Sequence, residues 1–268
     1  MSNKPKINKY ANLKTLARKL RADLGGVELI LLYAYNRTGK TRLSMDFKDA
    51  GKRKNNGTAD TLYFNAYTED LFTWENDLDG DSARHLKLNP DSAFFNGLKD
   101  LALDEAIAGY LGSYADFDFD IDYEAWKVSF RKDQAENIKI SRGEQNIFIW
   151  CVFMAICERM LDGHISYQAK KFLYIDDPIS SLDDNNAIAV ACDLAKLLRR
   201  AASRTGPVGA PAPIKVIFSS HHALFFNVMC NEIGRSKEGE PKVAQNPPNA
   251  APAPVAAPPA APEPSPTP

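Results

Sequence analysis

Hydrophobic and polar positions change their period several times along the chain, and each change marks an element. Leu13, Leu16 and Leu20 recur at helical spacing in a basic segment closed by Gly25 and Gly26, which predicts an amphipathic helix within residues 1–25. VELILLYA, residues 27–34, is an unbroken apolar run between turn signals, as expected of a strand buried on both faces. TRLSMDFKDAG, after Lys40, predicts a short helix ended by its glycine, and DTLYFNAY, residues 60–67, a second strand. Residues 68–136 are less regular, with helix near 92–111 and strands near 117–130. Within them DFDFDID, residues 116–122, alternates acid with apolar residue and reads as a half-exposed strand whose acids face water, not as a metal site.

QNIFIWCVFMAICERML, residues 145–161, is apolar on nearly every face and predicts a deeply buried helix. KKFLYID (170–176) and IKVIFSS (214–220) read as further strands, with NNAIAVACDLAKLLRRAA between them as a helix. Strands alternating with helices place the chain in the α/β class, with a layered sheet flanked by helices. From about Pro241 proline and alanine dominate, a composition unable to offset its ordering entropy. The expected organisation is one domain over 1–240 and a disordered Pro/Ala-rich tail over 241–268.

Composition narrows the functions. With Lys+Arg 33 against Asp+Glu 34, the formal charge of −1 gives no overall basic field of the kind a dedicated nucleic-acid binder carries. The short runs RKLR (18–21) and KRK (52–54) read as solvated surface. Cys151, Cys157, Cys192 and Cys230 form no C-x-x-C pair and read as small buried hydrophobes in a reducing compartment. No run approaches ~18 apolar residues, and the N-terminus lacks the apolar core of a secretory signal. The expectation is a cytoplasmic protein with no membrane span.

Chemistry concentrates in four places. LLYAYNRTGKTRLS, residues 31–44, is strand, loop and helix in the context of a phosphate cradle, with Ala34 where the strict pattern has its first glycine. Gly39 permits close backbone approach, Lys40 is placed for the β/γ-phosphates and the Thr41 hydroxyl for Mg²⁺. Arg37 occupies a loop position that favours glycine's freedom, and either reaches a phosphate or base or weakens binding. FLYIDDPISSLDD, residues 172–184, ends an apolar strand in two aspartates: Asp176 suits the Mg²⁺ shell, directly or through water, and Asp177 the attacking water. ISRGEQ, residues 140–145, sets Ser141, Gly143 and Glu144 at the buried helix's N-terminus, both an anion site and a capping box. VIFSSHH, residues 216–222, delivers His221 from a strand end as a γ-phosphate sensor.

Phosphate loop, S-x-G-E, I-D-D-P-x-S-S-L-D and strand histidine, in that order, resemble the ABC-type ATPases, including the SMC and Rad50 class. The wording AYNRTGKTRLS, LYFNAYTEDLFTWENDL, NIKISRGEQNIFIWCVF and DDPISSLDDN is more similar still to the N-terminal NTPase part of PrrC-type anticodon nucleases and their RloC relatives, over about residues 20–235. The resemblance implies a P-loop NTPase fold of the ABC type that hydrolyses ATP or GTP with Mg²⁺ and controls a tRNA-cutting part, in phage defence beside a type I restriction enzyme. By position it assigns Asn36, Gly39, Lys40 and Thr41 to the phosphate loop; Ser141, Gly143 and Glu144 to the signature; Asp176 and Asp177 to the Walker B acids; Ser181 and Asp183 to the D-loop; and His221 to the switch. Asn65 corresponds to the Q-loop glutamine. It further implies a homodimer closed by nucleotide, with Ser141 acting on the partner's γ-phosphate. Arg142, where transporters carry glycine, adds charge toward that phosphate.

Little sequence follows His221, so the tRNA-cutting site is expected outside this chain. Two alternatives are a non-hydrolysing nucleotide sensor that regulates a separate effector, and an inactive remnant. Arg37 in the phosphate loop and Asp177 in place of the usual glutamate favour the sensor, an aspartate being one methylene shorter. A transporter is disfavoured by the absence of a span, and a Rad50-type repair ATPase by an insert too short for a coiled-coil arm.

Overall fold

A computed structural model describes residues 8–76, 84–92, 95, 102–178, 184–202 and 214–234. Four strands, β1 (Leu29–Tyr33), β2 (Thr61–Asn65), β7 (Phe172–Asp176) and β8 (Lys215–Ser220), form a parallel sheet in the order β1-β8-β7-β2. Both faces of this sheet are covered, and alternate residues feed two different cores. Ile30, Leu32, Tyr174 and Ile217 pack with Ala17, Leu20, Leu43 and Phe47 of helices α1 (Leu13–Asp23) and α2 (Lys40–Lys54). Leu29, Leu31, Leu173, Ile175, Val216 and Phe218 point the other way, into the larger core. A period of two with both parities apolar is what makes these strands read as continuous hydrophobic runs.

The larger core is organised around α4 (Arg142–Leu161), whose residues from Asn146 to Cys157 are all buried. It packs against α3 (Asp104–Leu111) and α5 (Asp184–Ala202), with α6 (Ala223–Gly234) beside α5. A second, antiparallel sheet has the order β3-β4-β6-β5, from Phe72–Asn76, Arg84–Leu88, Lys127–Arg131 and Asp118–Asp122 respectively. The fold is therefore α/β with parallel and antiparallel pairing, divided between two sheets. On β5 the acids Asp118, Asp120 and Asp122 are exposed while Ile121 is buried, the alternation expected of a half-exposed strand.

Helix α3, Asp104–Leu111, falls within the stretch read as helical near 92–111, of which 93–94 and 96–101 lie outside the described residues. Two expectations are corrected. Helix α2 does not end at its glycine: Gly51 is buried inside the helix, which runs on to Lys54. Cys230 is exposed on α6, unlike the buried Cys151 and Cys157. The Pro/Ala-rich segment lies outside the described residues. Among the described residues, no helix is long and apolar enough to cross a membrane.

Candidate functional site

All four strands of the parallel sheet run the same way, so their C-terminal ends meet at one edge, where ligands of open α/β sheets bind. Register decides which side chains share it. Leu32, Ser219, Asp176 and Asn65 lie in one row across the strands. The next positions along carry Tyr33, Ser220 and Asp177.

The loop after β1 needs two left-handed residues to turn back into α2. Gly39 has φ 98° and Arg37 φ 65°. The position suspected to want glycine's freedom does adopt a left-handed conformation, and an arginine bears it at a cost of about 1–2 kcal/mol. Asn36 and Arg37 are exposed on the loop. Lys40, at the start of α2, folds back over the loop: its Nζ donates to the carbonyls of Ala34 at 3.0 Å and Tyr35 at 3.2 Å. The same ammonium lies 3.4 Å from Asp177 Oδ2.

Asp177 leaves the strand in a left-handed conformation, φ 55°, anchored by its own N–H to the Ser219 carbonyl at 2.8 Å. His221 Nδ1 donates to Asp177 Oδ2 at 2.5 Å, and Oδ1 accepts from Ser220 Oγ and the His221 N–H, each at 3.3 Å. Lys40, Asp177 and His221 thus form one connected cluster. His222 has a different task, accepting from the Phe225 N–H at the start of α6.

Asp176 is 1% exposed. Its Oδ1 accepts from Ser219 Oγ at 2.5 Å, and Thr41 also hydrogen-bonds to it. Burial raises the carboxyl above the ordinary aspartate range, and the neighbouring Asp177 charge adds to this. The bonds from Ser219 and Thr41, and the Lys40 charge, pull the other way. A hydroxyl and a destabilised carboxylate side by side make a hard oxygen donor pair of the kind Mg²⁺ takes. Behind them Ser44 and Tyr63 share a hydrogen bond of 2.7 Å, Asn65 donates to the Tyr63 hydroxyl at 3.0 Å, and Thr68 donates to Asn65 Oδ1 at 3.4 Å.

Ser141, Gly143 and Glu144 stand at the start of α4. Ser141 is the N-cap of α4, its N–H donating to Glu144 Oε2 at 2.7 Å and its Oγ accepting from the Glu144 N–H at 3.3 Å. Ser141 and Gly143 are exposed. Ser181 and Asp183 lie outside the described residues. The structure therefore brings together Gly39, Lys40, Thr41, Asp176, Asp177 and His221. It adds Ser219 and Ser220, which sequence reasoning passed over although both stand in the VIFSSHH run.

No family model matches the chain. It is 33% identical over 254 residues to the anticodon nuclease of Escherichia coli, an alignment covering 82% of this chain and 62% of that protein. The chain thus spans less than two thirds of that relative's length. Among solved structures, an SMC head bound to the C-terminal winged-helix domain of ScpA overlaps half of the chain at 12% identity and a TM-score of 0.32, too loose a likeness to argue from.

Proposed function

We propose that this chain, a relative of the PrrC-type anticodon nucleases, carries an ABC-type nucleoside triphosphatase over residues 1–240, with 241–268 as a tail. The observation that supports it most is the meeting of Lys40, Asp176, Asp177 and His221 at one sheet edge, from the ends of three strands that are far apart in the chain. Lys40 exchanges its carbonyl acceptors for β/γ-phosphate oxygens, and the loop's backbone N–H groups receive the rest of the polyphosphate. Thr41 and Asp176 hold Mg²⁺, which neutralises charge on the phosphate oxygens when bound. Asp177 orients the attacking water and accepts its proton, while His221, fixed by Asp177 through Nδ1, contacts the γ-phosphate.

Asn36 belongs to the phosphate loop. Ser141, Gly143 and Glu144, with Ser181 and Asp183, complete the site across a homodimer that nucleotide closes. ATP or GTP is the substrate, and turnover regulates an anticodon-nuclease activity on tRNA in a cytoplasmic phage-defence setting with a type I restriction enzyme. The test is Mg²⁺-dependent phosphate release from ATP and GTP. Activity lost in Lys40→Ala is the expected result, and equal activity in that variant refutes the assignment.

A second reading, a nucleotide sensor without turnover, has one observation in its favour. Asp177 Oδ2 is already shared between His221 and Lys40, and its side chain is shorter than a glutamate's. Nucleotide binding without phosphate release selects this reading.

A further inference from the structure

The N-terminal ends of the same strands carry a second concentration of charge, at the opposite edge of the parallel sheet. A cavity of about 690 Å³ opens there between α1, the end of α2 and the starts of β2 and β7. That volume lies within the range of small-molecule sites. Its walls include Arg18, Arg21, Arg53, Lys54 and Lys171, and Asp60 is the one carboxylate among its lining residues. The two short basic runs of the sequence, RKLR and KRK, thus meet in space on one concavity.

The floor is internally neutral. Arg21 holds Asp60 through two bonds of 2.9 and 3.0 Å, with the guanidinium 4.1 Å from the Phe47 ring centroid and 4.6 Å from that of Phe172. Asp60 is therefore spoken for, which leaves Arg18, Arg53, Lys54 and Lys171, all exposed, as excess positive charge around the rim. Basic residues at a helix C-terminus commonly complement its dipole. That dipole amounts to about half a negative charge, which one of Lys52, Arg53 and Lys54 answers. Lys48 and Lys170 are both held below the ordinary lysine range chiefly by burial; the Lys52 charge adds to this at both, and at Lys170 the Asp60 charge opposes it more strongly.

We propose that this cavity is a second anion site, distinct from the phosphate loop, that binds a small ligand carrying several phosphate groups, such as a free polyphosphate or a nucleoside polyphosphate. Three elements supply cations to one concavity, so a compact ligand with more than one phosphate matches them better than a single anion does. An extended nucleic acid fits less well, because the chain as a whole carries a charge of −1 and so lacks the overall basic field such a ligand tracks. The two sites lie at opposite ends of five-residue strands, roughly 15 Å apart along the sheet. Helix α2 connects them, from Lys40 to Lys54.

Calorimetric titration with inorganic tripolyphosphate tests this, every protein carrying Lys40→Ala so that the phosphate loop does not contribute. Saturable binding is expected, weakened at least about tenfold in Arg53→Ala/Lys54→Ala, the scale of losing one or two charge-assisted bonds. Restoration by Arg53→Lys in place of Arg53→Ala identifies charge as the cause. Tripolyphosphate binding that is absent, or unchanged in the double variant, overturns the proposal. So does a single-stranded RNA about 16 nucleotides long that binds through the same residues when tripolyphosphate does not. Because the phosphate loop is disabled throughout, the result stands or falls apart from the proposed triphosphatase.

Discussion

Gly51→Ala is a sharp test of the packing that holds α2 to the sheet. Replacing an interior helical glycine by alanine ordinarily stabilises a protein by about 0.5–1 kcal/mol. Here the added Cβ would lie 2.0 Å from Asp60 Oδ1 and 2.3 Å from the Arg21 guanidinium. Side-chain ends usually step aside from such a contact, but these two are pinned. Arg21 is sandwiched by Phe47 and Phe172 and donates to the Phe47 carbonyl at 2.8 Å, while Asp60 also accepts from Asn55 at 3.1 Å and Thr61 at 2.9 Å. Breaking a buried pair costs about 3–5 kcal/mol, which outweighs the helical gain and leaves a net loss of about 2–4 kcal/mol. For a domain of this size that lowers Tm by roughly 5–12 °C, read by circular dichroism. In an Arg21→Ala/Asp60→Ala background the methyl group meets neither the guanidinium nor the carboxylate, so Gly51→Ala should then cost little, and the difference is the coupling. A single variant as stable as the wild type, or more so, refutes the close approach.

Acid stability should report the same pair. Burial works against the Asp60 charge, but the bonds from Arg21, Thr61 and Asn55 prevail and hold its carboxyl below the ordinary value. Its contribution is therefore present above the unfolded-state pKa and lost as pH falls through the folded one, so Asp60→Asn should flatten the acid limb of a stability-against-pH curve. Asp176→Asn removes a buried charge and should leave thermal stability equal or higher while abolishing phosphate release, a combination that a purely structural aspartate would not give. Asp177→Asn keeps a residue that tolerates the left-handed conformation; the fold should be unchanged and turnover should fall about 10²–10⁴-fold. Arg37→Gly should be at least as stable as the wild type in urea denaturation, whereas Arg37→Val, β-branched at φ 65°, should lose about 1–2 kcal/mol.

What could be read in advance was set by how local its cause is. The parallel strands were legible because burial on both faces leaves Leu29, Ile30, Leu31 and Leu32 all apolar, though they serve two cores. Strands β3 and β4 were not, because FTWEN and RHLKL carry Glu75, His85 and Lys87. These are reconciled only across the register, His85 with Glu75 at 2.9 Å and Lys87 with Glu75 at 3.0 Å. Gly51 looked like a helix stop because its reason, a bond between residues 39 apart, has no local trace. Ser219 and Ser220 stand in the same run as the histidine they precede, yet their place beside Asp176 and Asp177 is set only by the pairing of β8 with β7.

The same logic governs charge. RKLR and KRK are each too short to argue from, and a net charge of −1 over the chain averages them away. Helices α1 and α2 pack side by side and bring both runs to one cavity. The field a ligand meets there is set chiefly by the five cations and one committed carboxylate that line the cavity, because exposed charges farther off than a Debye length of about 10 Å are screened.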